Sequence, residues 1–387
     1  MNIKNLDGIN NFCLKRKNEI VKFLSQIIKI KSYSSKEEQV AKFILNYLKS
    51  NTKKIKNLSI KKIKNNLIII VGDKLSKQKF LFDAHIDTVP AENKKTWLYP
   101  PFSGKIIKNK IYGRGSCDDK ASVTALVFTA LSLLENKYNG PQVVFSLSSE
   151  EENSSGNGIS EVLKYVKPQF CVICEPSDLK IVHGHKGKWS IKIKFYGKSA
   201  HSSLPQLGKN AIYSAYPVIK NIIEQENKNF IDSPLGKPTF TITYIESKTN
   251  SLNSIPHECT LYIDYRNVLG ETEKSVKEFL LKNIKEKNYE FIPVHKFFPA
   301  WILKEEHQLI LWAKESYKTC FKRQPNLILW QFCTNGSITM AEYKIPTIGF
   351  GTGNPFLAHQ DNEYVKIEDV ISAIQFYYSL IICPNSF

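Results

Sequence analysis

Four apolar runs in this chain stop at histidine or acidic residues, and that recurrence narrows the folds open to it. Residues 80–82 lead into Ala84-His85-Ile86-Asp87, and 143–147 stop short of Glu150-Glu151-Glu152. Residues 170–174 end at Glu175-Pro176, and 347–350 precede the loop carrying Ala358-His359. Apolar runs this short, like residues 67–70, read as buried strands. Between them lie helical stretches, notably 121–134 and 305–321. Strands alternating with helices imply an α/β sheet, and ligands of such sheets collect beyond the strand carboxyl ends.

The residue types gathered there are those a pair of zinc ions needs: two histidines, an aspartate able to bridge, and two or three glutamates. His85 and Asp87, two apart on or just after a strand, share a face. Asp87 can therefore accept a hydrogen bond from the ring nitrogen of His85 that does not bind metal. Asp118 follows the turn Gly113-Arg114-Gly115-Ser116-Cys117 and opens a helix, a position from which one carboxylate could bridge two metals. Glu151 and Glu152 are adjacent and point in different directions, so one can bind metal while the other serves as a base.

A chain of 387 residues, 42% apolar and 12% aromatic, has room for two domains with real cores. The longest apolar run, 370–383, is broken by Ser372, Gln375 and Ser379 and falls short of the roughly 20 residues of a spanning helix. The first residues, Met1-Asn2-Ile3-Lys4-Asn5, lack a signal-peptide layout. A cytoplasmic protein without a membrane partner is expected. The formal charge of +18 does not imply nucleic acid: only Arg16, Arg114, Arg266 and Arg323 are arginines, and the lysines are spread along the whole chain. The eight cysteines are widely separated and read as free thiols. Cys171-x-x-Cys174 lies in an apolar run without a second such pair, which favours buried structural cysteines over a metal knuckle.

Ser35-x-x-Glu38 reads as a capping box, followed by Val40, Phe43, Ile44, Tyr47 and Leu48 at helical spacing. Over residues 184–297 the pattern changes. Residues 189–196, 239–245 and 260–265 alternate as strands, and 211–225 and 273–284 look helical. The succession β, α, β, β, α, β predicts a four-stranded α+β layer inserted between a first part, 1–183, and a second part, 298–387, of one domain. No G-x-S-x-G elbow, P-loop or H-E-x-x-H helix is present.

With these segments in hand, the chain resembles the M20 family of metallopeptidases, which includes acetylornithine deacetylase and succinyl-diaminopimelate desuccinylase of amino-acid biosynthesis, and glutamate carboxypeptidase. The similarity extends from about Ile28 to the C-terminal helix and is closest to the YgeY-type branch. It rests on the segment from Phe82 to Val89, on WQFCTNGSI from Trp330 and on GFGTGNPFLAHQDNE from Gly349. The resemblance implies a zinc-peptidase-like α/β catalytic domain with an inserted ferredoxin-like dimerisation lid. It implies two divalent ions, Zn²⁺ with Co²⁺ or Mn²⁺ as alternatives. His85 would bind one ion, His359 the other, and Asp118 would bridge, with Glu152 and Glu175 as terminal ligands. Glu151 would be the general base and Asp87 the partner of the histidine. Ser199-Ala200-His201-Ser202-Ser203-x-Pro205 resembles the lid segment whose histidine steadies the oxyanion in the neighbouring subunit. Asn253, Arg266 and Lys186 would meet substrate.

Two departures stand out: Lys186 occupies a position where relatives often carry arginine, and Asp119 replaces an apolar residue beside the bridging aspartate. His183 and His185 share a strand face but match no ligand position. His257, His295 and His307 fall in no motif and read as surface or packing residues. The implied reaction is hydrolysis of the amide bond of an N-acyl amino acid through a hydroxide bridging the metals, in a homodimer. The alternatives are a dipeptidase or aminopeptidase of the same family, or a non-catalytic binding relative, which would need a missing ligand or base; none is missing.

Overall fold

The computed structural model of the protein describes residues 4–52, 57–91, 94–226, 233–282, 284 and 287–382. The chain divides into two compact units. One comprises Met1–Gly184, Ile302–Leu329 and Thr334–Phe387, and the other His185–Trp301 with Trp330–Cys333. Residues 298–301 and 330–333 thus group with the inserted layer.

The first unit is built on a nine-stranded sheet. Its spatial order is Leu58–Ile63, Asn66–Val71, Gln142–Ser148, Lys79–His85, Phe170–Ile173, Thr347–Gly349, Ile181–His185 and Trp301–Ile302, with Leu327–Trp330 also pairing to Ile181–His185. Four strands at its centre, from Gln142–Ser148 to Thr347–Gly349, run parallel. Parallel strands are buried on both faces, which is why they read as unbroken apolar runs: Phe80, Leu81, Phe82, Val143, Val144, Phe145 and Leu147 are all buried. The helix Lys120–Glu135 is buried from Lys120 through Leu133, as its nearly all-round apolar sequence demands. It packs with the helices Lys4–Lys29 and Ile367–Ile382. Its first residue, Lys120, is fully buried and donates from Nζ to the carbonyls of Ile27 (3.0 Å) and Ile30 (2.7 Å). Carbonyls at the end of the first helix, which have no partner within it, are satisfied this way.

One local expectation is overturned. Ser35 does not cap a helix. It has φ +68°, its hydroxyl donates to Glu150, and the helix Glu38–Asn51 has Glu37 at its N-cap without a side-chain cap bond. The backbone amides of Ser35 and Glu150 both donate to Glu37 Oε1, at 2.7 and 3.2 Å. That buried carboxylate turns the chain before the helix begins.

The second unit is an antiparallel sheet in the order Thr239–Lys248, Glu258–Arg266, Trp189–Tyr196 and Tyr289–Pro293, with helices Ala211–Glu226 and Glu273–Leu281 in the β, α, β, β, α, β succession. Trp189, Ile191, Ile193 and Phe195 are buried at alternate positions and pack with Leu261, Ile263, Tyr265, Val218 and Leu280. Among the described residues no helix is long and apolar enough to cross a membrane.

Candidate metal centre

The parallel strands deliver their last residues to one end of the first unit. His85 closes the strand Lys79–His85 and stands in register with Ser148, so the loop from Ser149 to Glu152 begins at its level. Glu175 follows Phe170–Ile173 by two residues. Asp118 arrives from the turn ahead of the helix Lys120–Glu135, where Gly113 and Gly115 have φ +144° and +83°. A Cβ at Gly113 would lie 2.6 Å from Ile28 Cγ2 and 2.9 Å from the Pro101 carbonyl, so neither conformation nor space admits another residue there. The Asp118–Asp119 peptide is cis.

These segments converge. His85 Nε2 lies 2.8 Å from Asp118 Oδ1 and 3.6 Å from Glu175 Oε1. His359, on an exposed loop, lies 2.9 Å from Glu152 Oε2 and 3.4 Å from Asp118 Oδ2 through its Nε2. Asp118 therefore has one oxygen toward each histidine. Ligand atoms of His85, Asp118 and Glu152 lie within 4.8 Å of one another, as do those of His85, Glu151 and Glu175.

Asp87 does more than the sequence suggested. Nδ1 of His85 meets its backbone carbonyl at 3.0 Å and its carboxylate at 3.5 Å. The carboxylate instead accepts the amides of Glu151 (3.2 Å) and Glu152 (3.0 Å) and the hydroxyl of Ser34 (2.7 Å). It thus ties the glutamate loop to the strand end carrying His85, and Nε2 of His85 is left for the centre.

Burying so many carboxylates together has an electrostatic signature. Burial pushes the Glu151 carboxyl up to about 8, helped by Glu152, Asp87 and Asp118 and opposed by His85. Burial raises Glu175 well above the usual range, with Glu151, Asp118 and Asp119 adding to it. Hydrogen bonds donated to the Asp118 and Glu152 carboxylates lift His359 to about 10. Asp118 goes the other way: burial opposes its ionisation, but both histidines hold it well below the ordinary carboxylate range. Glu152 Oε1 is buried without a hydrogen-bond partner. An orphaned carboxylate oxygen among like charges and two imidazoles fits divalent cations, and His/carboxylate donors suit zinc, cobalt or manganese alike.

Asp119, the departure noted in the sequence, is fully buried and accepts the His85 backbone amide at 3.3 Å. Burial, with the neighbouring Asp118 charge, raises its carboxyl well above the usual range.

The remaining candidates belong to the second unit. His201 and Asn253 approach to 3.4 Å, and His201 Nδ1 accepts the backbone amide of Ser203 at 3.2 Å. Arg266 donates from Nε (2.6 Å) and Nη2 to Asp264. Lys186, nearly buried, donates to the Lys237 carbonyl at 2.6 Å, and burial together with the Arg266 charge lowers its pKa. His183 and His185 bond the carbonyls of Leu303 (3.1 Å) and Lys186 (2.7 Å) and join no cluster of possible ligands among the described residues.

Sequence reasoning gave no role to Glu37, Glu363, Asp83 or Asn335. Asn335 donates to the buried Asp83 at 2.9 Å, two residues before His85 in the strand. The signal available was a polar residue inside an apolar run, as at Asp83, and an acid four positions after His359, as at Glu363.

Comparison with known proteins identifies the family of the chain. Residues 81–382 match the family described as Peptidase family M20/M25/M40. An uncharacterized Escherichia coli protein, YgeY, is 30% identical over 303 residues, 73% of this chain and 74% of its own length. A succinyl-diaminopimelate desuccinylase of Wigglesworthia glossinidia brevipalpis is 28% identical over 373 residues, 92% of this chain and 96% of its own. The crystal structure of an M20 family metallo-carboxypeptidase from Sulfolobus solfataricus shares the fold: TM-score 0.78 at 21% identity, over 94% of this chain and 98% of that one.

Proposed function

The chain belongs to peptidase family M20/M25/M40 and is a hydrolase of amide bonds; on that premise we propose that it removes the acyl group from an N-acyl amino acid, using two divalent ions. The observation that carries this reading is the sharing of Asp118 between two donor sets, His85 with Glu175 and His359 with Glu152. In this reading each set holds one ion, zinc in the first instance. When bound, the ions supply Lewis acidity to the amide carbonyl and lower the pKa of a water. Glu151 takes the proton of the attacking water and returns it to the leaving amine. Asp87 holds the Glu151 and Glu152 amides and the His85 ring in position.

The second unit supplies what the first lacks. His201, whose ring nitrogens meet Ser203 and Asn253, would donate to the oxyanion. Asn253 adjoins it. Lys186 and Arg266 form a pair of neighbouring cations suited to a substrate carboxylate. We place His201 at the centre of a second copy, in a homodimer. The strand Thr239–Lys248, at the edge of its sheet, exposes Tyr244 and Ile245, and the helix Ala211–Glu226 exposes Tyr213, Tyr216 and Ile223. An open apolar edge of this kind is a template for pairing with another chain.

The test is kcat/KM on a panel of acetyl- and succinyl-amino acids and dipeptides. Activity on an acyl amino acid, abolished by chelation and restored by Zn²⁺ or Co²⁺, is the expected result. Exclusive cleavage of dipeptides would move the chain to the peptidase alternative. Full activity in excess chelator with no metal detected would reject the reading.

A further inference from the structure

We propose that Arg114 and Glu363 form a clamp that fixes the carboxylate of Asp118 relative to the ring of His359, and so sets the affinity of the centre for the ion between them. The inference rests on the reading of Asp118 and His359 as ligands.

Glu363 is fully buried and accepts four donors. Its Oε1 takes the backbone amides of Cys117 (2.7 Å) and Asp118 (3.0 Å), and its Oε2 takes the amide of Gly115 (3.2 Å) and Nη1 of Arg114 (2.7 Å). Arg114 in turn reaches back across the same gap. Nη1 also donates to the carbonyl of Gln360 (3.2 Å) and Nη2 to the carbonyl of His359 itself (3.3 Å). The backbone closes the exchange, with Gly113 N–H donating to the Glu363 carbonyl at 3.0 Å. Each of the two loops therefore supplies a charged side chain that binds the other loop's main chain at, or next to, the candidate ligand.

Neither ligand is held by regular structure at this point. Asp118 precedes its helix, and His359 lies on a loop with φ +63°. A left-handed residue without glycine's freedom persists only where its surroundings hold it, and the Arg114 fork on the His359 carbonyl does so. Trp97 covers the guanidinium, its ring centroid 5.3 Å away. A lysine at 114 could keep a charge opposite Glu363 but lacks the planar fork that reaches several acceptors at once. Groups that orient metal ligands in this way typically govern affinity by about 10–100-fold.

The experiment is calorimetric titration of Zn²⁺ into metal-stripped protein in the presence of a competing chelator, for the wild type, Glu363→Gln, Arg114→Lys and His359→Ala, with the Tm of each stripped protein recorded. Glu363→Gln places an amide N–H₂ among donors, and is expected to weaken by about 10–100-fold the ion that His359→Ala loses. Arg114→Lys should weaken the same ion, and His359→Ala should lose it. If Glu363→Gln and Arg114→Lys lower only Tm and leave both affinities within about twofold of wild type, the pair is an ordinary buried ion pair and the proposal is overturned. Should Glu363→Gln not fold, Arg114→Lys decides by the same criterion. If His359→Ala keeps both ions at wild-type affinity, the assignment of the ligands fails, and the clamp with it.

Discussion

Glu151 and Glu152 are neighbours in the chain, yet their surroundings separate them. Glu152 reaches His359 at 2.9 Å, whereas Glu151 stands near His85 and Glu175 with a carboxyl pushed up to about 8. A carboxylate of raised pKa is the better proton acceptor near neutral pH. Glu151→Gln should therefore retain both ions and lose about 10²–10⁴ in kcat, read by single-turnover kinetics beside a metal analysis. Turnover close to wild type by the metal-loaded variant would move the base to another residue. The placement of His85 and Glu175 at strand ends was legible because each closes or follows a short apolar run. Glu37 and Glu363 were not, because most of their partners are backbone amides, which carry no residue signature, as far away as Glu150, 113 positions from Glu37, and Gly115, 248 positions from Glu363.

Among the elements, length alone did not decide what was readable: the three-residue strand Thr347–Gly349 declared itself as an apolar run, whereas the 26-residue helix Lys4–Lys29 was not read. The strand Trp189–Tyr196 alternates apolar and polar residues through its whole length and was read to the residue. Lys105–Ile107, Lys110–Tyr112 and Tyr364–Lys366 form a small sheet of three-residue strands, too short for any periodicity to declare itself. Ser35 failed as a cap because its hydroxyl donates to the distant Glu150 and its amide to Glu37, which itself stands at the N-cap. The strand Ile181–His185 ends in a fully buried imidazole that bonds the Lys186 carbonyl and packs 5.1 Å from the Trp301 ring. Burial lowers the His185 pKa to about 4. The unfolded chain, at about 6.5, takes up a proton first as pH falls. The stability this residue contributes is whole above pH 6.5 and is lost as pH drops toward 4. Between pH 7 and 4.5 that loss is about 2–3 kcal/mol. Denaturant unfolding of His185→Phe should show a pH dependence shallower by that amount; parallel curves for variant and wild type would contradict a neutral buried histidine.

For the whole molecule, the readable part was the division of labour: an α/β unit bearing the metal-binding residue types and an inserted four-stranded layer bearing the others. Assembly is a matter of surfaces, and the exposed edge strand and helix face of the second unit speak to it. If His201 serves the second copy, mixing inactive His201→Ala subunits with inactive Glu151→Gln subunits should restore activity, since one site of the mixed dimer joins an intact Glu151 to an intact His201. Random equal mixing makes about half of the dimers mixed, each with one working site of two, so recovery reaches up to about a quarter of wild-type activity over parents reduced by about 10²–10³ or more. No recovery despite demonstrated subunit exchange would confine His201 to its own chain or to no catalytic part.

The centre itself is tested most directly by anomalous diffraction from crystals of the zinc-loaded protein. The account predicts two peaks about 3.5–4 Å apart, with Asp118 between them, His85 and Glu175 on one, and His359 and Glu152 on the other. A single peak, or two that do not share Asp118, would contradict it.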